Sequence, residues 1–251
     1  MNTRLAVSPN WLACLLAGAV LILGSLSIAG HLLDSKHLLL IFELDAEGNV
    51  PSWFSSLTLL GCAVLLGVIG KAKREVGDPY VRHWSVLAVL FLYVSLDEAA
   101  KLHDWLNVLL TAAFHPSGVL HFPWVLPAAA ALVGLALAYR RWLFHLPGWV
   151  RTRFLLSAVI FLAGALGCEV LEGFYVNGTS DPTIAYVLIT HIEELLEMTG
   201  VVAFLHSLML YASDQQIALS VEFAGSRIPP DGEDGRPGDL TTNGSAPIAA
   251  S

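Results

Sequence analysis

The chain has 251 residues, of which 55% are apolar and 14% charged, yet acids outnumber bases 21 to 13 for a formal net charge of −8. Soluble domains carry about 25% charged residues. The shortage of charge, and its gathering between long apolar runs, exclude a soluble enzyme, a nucleic-acid binder and a secreted disulfide scaffold. Cys14, Cys62 and Cys168 all lie in apolar runs and form no CxxC or Cys/His zinc pattern. They read as small packing residues.

The first run, 11–30, carries no charge. About 18 or more such residues match the bilayer thickness. Arg4 before it and Ser27-x-Ala29 near its end imitate a signal peptide, but the run is longer than a signal core. Further spans follow at 52–70, 84–110, 122–139, 154–175 and 183–211. The expectation is an all-α polytopic membrane protein, with six transmembrane helices in residues 1–211. Trp11, Trp53, Trp84, Trp105, Trp124, Trp142 and Trp149 sit near predicted ends, as an interfacial belt requires.

Arg4, Lys71, Lys73, Arg74, Arg82, Arg140, Arg141, Arg151 and Arg153 fall on one side, and only Lys36 and Lys101 on the other. The positive-inside rule then makes both termini cytoplasmic, in a cell membrane of the bacterial inner-membrane type. Loops 31–51, 111–121 and 176–182 face outward. Residues 212–251, rich in Pro, Gly, Asp and Ser, read as a disordered acidic tail. Asn177-Gly178-Thr179 matches a glycosylation acceptor. An inverted repeat of spans 1–3 and 4–6 fails, because the acids of spans 3 and 6 both fall in the outer half.

Three spans are too short in their uncharged part. Residues 84–96 precede Asp97 and Glu98; 154–168 precede Glu169 and Glu172; 198–211 follow His191, Glu193, Glu194 and Glu197. At 1.5 Å per residue these stretches reach only about 20–23 Å of a hydrocarbon core about 30 Å thick. Acids on three helices therefore share one depth, in the outer third. A buried carboxylate costs on the order of 3 kcal/mol at the bilayer centre. The acids must face one another or a wet cavity. Asp97, Lys101 and Asp104 form one helical stripe with Glu98 beside it, and His103 points largely away. Glu43, Asp45, Glu47 and Asn49 lie in the outward loop and Ser55 at the start of span 2, with Glu43 and Asp45 placed to close over the same cavity. His31, His37, His115 and His121 read as solvated loop residues.

Adjacent carboxylates must share protons or a cation. The leading expectation is a divalent-metal site with Asp97, Glu98, Glu169, Glu172, His191, Glu194 and Glu197 as ligands. Glu43, Asp45, Glu47, Asn49, Ser55, Lys101, His103, Asp104 and Glu193 support it. Oxygen-rich donors favour Fe, Mn, Mg or Ca over Zn. If catalytic, the site is that of a metal-dependent membrane hydrolase or oxidase, acting on a lipid or small apolar substrate. Two readings stay open beside it: a proton- or cation-coupled transporter, and a polar interhelical plug in a structural membrane subunit.

Leu44-Asp45-x-Glu47-x-Asn49-x-Pro51-x-Trp53-Phe54-Ser55-Ser56, Ser95-Leu96-Asp97-Glu98-Ala99-Ala100-x-x-His103 and Glu193-Glu194-x-x-Glu197-Met198-x-Gly200 together resemble uncharacterised multi-pass bacterial membrane proteins. That likeness covers most of residues 40–211 and implies no activity. Glu47, Asn49, Ser55 and Asp97 also resemble parts of the alkaline ceramidase-like membrane hydrolases, which implies a zinc lipid amidase. The chain departs from that pattern: a late His-x-x-x-His is absent, Glu194 and Glu197 stand there, and six spans are expected where that family has seven.

Overall fold

The computed structural model describes residues 8–46, 48–114, 123–175 and 184–217. Glu47, His115, His121, Asn177-Gly178-Thr179 and the tail from 218 lie outside them, as does the side chain of Asp104. The described part is helical throughout. Helix α1 spans Pro9–Leu32, α2 Lys36–Phe42, α3 Val50–Glu75, α4 Val81–Ala100, α5 Leu102–Phe114, α6 Val125–His145 and α7 Gly148–Leu162. A π-helical turn, Ala163–Cys168, joins α7 to α8, Glu169–Tyr175, and α9 covers Ile184–Asp214.

Five segments are long and apolar enough to cross a membrane: Pro9–Leu32, Val50–Glu75, Val81–Ala100, Gly148–Gly173 and Ile184–Asp214. The chain is a multi-pass membrane protein. The expected fourth span, α6, is not among the five, because Arg140, Arg141 and His145 occupy its last turns.

Helix α9 is the most buried of these and packs against α1, α3 and α7, while α3 pairs closely with α4. The core holds Cys62, Leu66 and Ile69 of α3, Val150 and Phe154 of α7, and Val201, Leu208 and Tyr211 of α9. Trp84 is 1% exposed, with its ring 5.0 Å from Trp142 and stacked 5.3 Å from Tyr211. Both tryptophans lie near a helix end, as expected, and their rings are covered by the bundle. Trp11, Trp53, Trp105 and Trp149 are the exposed ones. Lys73 of α3 donates to Gln215 just beyond α9 at 2.8 Å, and His145 lies 4.0 Å from Asp78. The basic helix ends thus gather at one end of the bundle.

Two spans are interrupted. The expected helix over 84–110 breaks at Lys101, whose φ of 54° is left-handed. The Lys101 N–H bonds the Asp97 carbonyl, and the chain then turns into α5. In the fifth span the π turn adds a residue per turn just before Glu169.

Helix α3 begins where the sequence indicates. Pro51 occupies its first turn, and Asn49 caps it by accepting the Ser52 N–H at 3.2 Å. Gly48 takes φ 75° in the preceding turn. The Asn49 amide also donates to the Glu43 carbonyl, tying the α2–α3 connection to the helix start. Asn49→Ala removes both bonds and will cost about 1–2 kcal/mol in unfolding measurements. Asn49→Asp keeps the cap, loses the donor to Glu43, and will cost less.

Candidate functional site

Away from the basic end, three elements converge. His31 lies in the last turn of α1, Glu43 just after α2, and His191 near the start of α9. One ligand atom from each lies within 4.8 Å of the other two. His31 Nε2 is 2.9–3.0 Å from the Glu43 carboxylate, and the two imidazoles meet edge to face at 5.2 Å. His191 is 6% exposed; His31 and Glu43 side chains are 35% and 17% exposed. The group therefore opens on one side.

His191 is oriented by its own helix. A carbonyl only accepts, so the 2.7 Å contact of Nδ1 with the Val187 oxygen assigns the proton to Nδ1. Nε2 is then the acceptor nitrogen and takes the Ser27 Oγ–H at 2.9 Å, a bond that a metal on Nε2 would replace. Ser27 also accepts the Leu44 N–H at 3.2 Å. At 0% exposure it is a buried hydrogen-bond relay with no access to substrate.

The carboxyl groups adjoin this triad. Glu172, 5% exposed, lies close to Thr190, beside His191, and to Glu193, with Asp45 in its neighbourhood. Its Oε1 is buried without a hydrogen-bond partner. Glu193 feels Glu197 and Glu169, and Glu197 feels Glu98, Glu169, Asp97 and His103. The acids of α4, the π–α8 segment and α9 thus form one continuous electrostatic group. Glu194 is half-buried on α9, Lys101 is exposed, and Ser55 is buried on α3 near its start.

Close backbone approach holds this group together. A Cβ on Gly164 would lie 2.7 Å from the Glu193 carbonyl oxygen and 3.0 Å from Glu197 Cγ. Without a side chain there, the π turn lies directly on α9.

His103 does not point away as expected. The break at Lys101 swings it back, so that Nδ1 meets Asp97 Oδ2 at 3.0 Å and its backbone N–H donates to Asp97 Oδ1 at 2.8 Å. Asp97 thereby satisfies a free N–H at the start of α5. Asp97→Ala will cost about 1–2 kcal/mol of stability, and Asp97→Asn, which keeps an acceptor, will cost less, as read by unfolding in detergent.

His31 is likewise not a loop residue, because α1 runs to Leu32 and carries it, still exposed on one side, beside Glu43 and His191. Sequence reasoning also missed Ser27, Thr190 and Trp124. Trp124 Nε1 donates to Glu169 at 2.7 Å, and its ring lies 5.4 Å from His103. Only tertiary packing reveals these partners.

No curated protein and no solved structure matches the chain. A family model described as "Domain of unknown function (DUF8692)" matches residues 13–212, a span that takes in the triad, the carboxyl group and all but the outermost residues of the five segments long and apolar enough to cross a membrane. The chain belongs to that family.

Proposed function

We propose that this protein binds a divalent metal ion at its outward end, through His31, Glu43 and His191. The carrying observation is the convergence of those three ligand atoms within 4.8 Å, from three separate elements. Two imidazoles and a carboxylate are the ligand set of catalytic zinc sites and of non-haem iron sites with open positions. This donor set favours Zn or Fe over the Mg or Ca that an all-carboxylate site would take. Tetrahedral zinc ligands lie about 3.3 Å apart, so a small contraction completes the geometry. The Val187 bond to His191 Nδ1 is the outer-shell support that metal-bound histidines ordinarily have.

The open side leaves a coordination position for water. Asp97, Glu98, Glu169, Glu172, Glu193, Glu194 and Glu197 form an acidic wall beside the metal, able to take a proton or hold a second ion. A metal-activated water next to proton-accepting carboxylates is the arrangement of a hydrolytic centre. Its substrate is a lipid or small apolar molecule reaching the outer face of the membrane. A sixth span, α6, and cytoplasmic termini in a cell membrane complete this reading, on the gathering of Lys73, Arg140, Arg141 and Arg151 at the opposite end.

A transport role is less well supported. Inward of Glu197, α9 buries Met198, Val201, Val202, Leu205 and Leu208, which leaves protons or ions little to follow. The test is elemental analysis of protein purified without chelators, followed by Zn(II), Fe(II) and Mn(II) titration. About one ion per chain is expected; no bound ion and no saturable uptake would sink the proposal.

A further inference from the structure

Helix α6 meets the rest of the protein near both ends, at its Trp124 N-cap, which bonds Glu169, and at Trp142, whose ring lies 5.0 Å from Trp84. Trp142 is its one buried residue. Between the Trp124 contact at its N-cap and the Trp142 contact near its C-terminus, α6 leaves an apolar cavity of about 550 Å³ that includes Leu90 and Val94 of α4, Leu132 and Leu135 of α6, and Leu155 and Val159 of α7 in its lining. That volume lies in the range of small-molecule sites. An apolar lining does not hold water, so within a bilayer the space takes hydrocarbon. A second hollow, about 530 Å³, adjoins it and is lined by Tyr80, Arg140, Arg141, Phe144 and His145. Arg140 and Phe144 line both. Arg151 stacks over the Phe144 ring at 5.0 Å, and the acid here, Asp78, lies 4.0 Å from His145.

A hydrocarbon slot that ends in arginines is complementary to one ligand class. We infer that this cleft binds an anionic phospholipid, with an acyl chain between α4, α6 and α7 and its phosphate against Arg140 and Arg141. The slot from Leu132 to Arg140 is about 12 Å long, which accepts the upper part of a chain. Basic pockets between spans recognise headgroups in this way, and the flanking Tyr80 and Phe144 suit the interface. This site is separate from the outward triad and does not depend on its metal.

The test is native mass spectrometry of the full chain in detergent, with phosphatidylglycerol and phosphatidylcholine added in competition. Preferential retention of phosphatidylglycerol, about tenfold or more for two basic contacts, is expected. Arg140→Gln with Arg141→Gln will reduce that preference to about twofold or less, while Arg74→Gln, an equal loss per residue of charge elsewhere on the basic end, will leave it unchanged. Leu135→Trp, which fills the slot, will abolish retention of either lipid, with circular dichroism confirming that the variant remains helical. Equal retention of both lipids overturns the inference. So does full displacement of phosphatidylglycerol by inorganic phosphate, which would mark an anion site without a chain slot, or a preference that survives the double substitution.

Discussion

His191→Ala will weaken divalent-ion binding by about a hundredfold or more, while Ser27→Ala will leave the ion in place. The two residues are hydrogen-bonded at 2.9 Å, so a purely structural plug predicts similar losses from either. A metal site predicts divergence. His191 supplies a ligand nitrogen already aimed by Val187; Ser27 supplies none. Removing the Ser27 hydroxyl instead strands the Leu44 N–H at a cost of about 1–3 kcal/mol. Metal bound only to the folded state also raises stability, by about 2.7 kcal/mol at a hundred times the dissociation constant. Wild-type and Ser27→Ala protein will therefore melt lower after chelator treatment, and His191→Ala protein will not respond. Equal chelator insensitivity in all three would leave the triad as a hydrogen-bonded plug.

That the acids of separate helices come near one another was legible in the sequence because hydropathy and helical rise are one-dimensional quantities. Short uncharged stretches in three spans placed Asp97, Glu169 and Glu197 at a common level, and Glu197 does lie in the field of the other two. Facing was not legible. Lys101 adopts a left-handed conformation with no glycine or proline to announce it, and every residue after it changes direction. His103 therefore pairs with Asp97, where an unbroken helix would turn it away. The π turn similarly shifts Glu169 and Glu172 relative to α7 without a distinctive residue pattern. His31 was lost for a different reason: the first uncharged run ends at residue 30 and α1 two residues later, at Leu32. That difference moves a loop histidine to within reach of Glu43 and His191. A ligand set drawn from a helix end, a short connection and a distant helix has no characteristic spacing, and requires the fold.

The joint that carries this geometry is also where the largest stability effect is expected. A Cβ on Gly200 would lie 2.7 Å from the Phe161 backbone nitrogen and 2.8 Å from its Cα and Cβ. Gly164, one turn of the pair away, approaches the Glu193 carbonyl just as closely. Both contacts are with main chain, which cannot rotate aside as a leucine tip can. Gly→Ala in a helix interior ordinarily gains about 1 kcal/mol, but overpacking a tight core costs about 1–3 kcal/mol, and occasionally more. Membrane helices, which lack a hydrophobic drive to associate, depend especially on such close approach. Gly200→Ala should thus lose about 2 kcal/mol or more in reversible unfolding from detergent micelles. Gly67→Ala, where nothing lies within 4 Å, should be neutral or stabilising by up to about 1 kcal/mol. Gly164→Ala must in addition displace Glu197, so it will perturb the acidic wall as well as stability. If Gly200→Ala unfolds no more readily than Gly67→Ala, then α7 and α9 are not locked by backbone contact, and the register that brings Glu172 to Glu193 has to come from the carboxyl groups themselves.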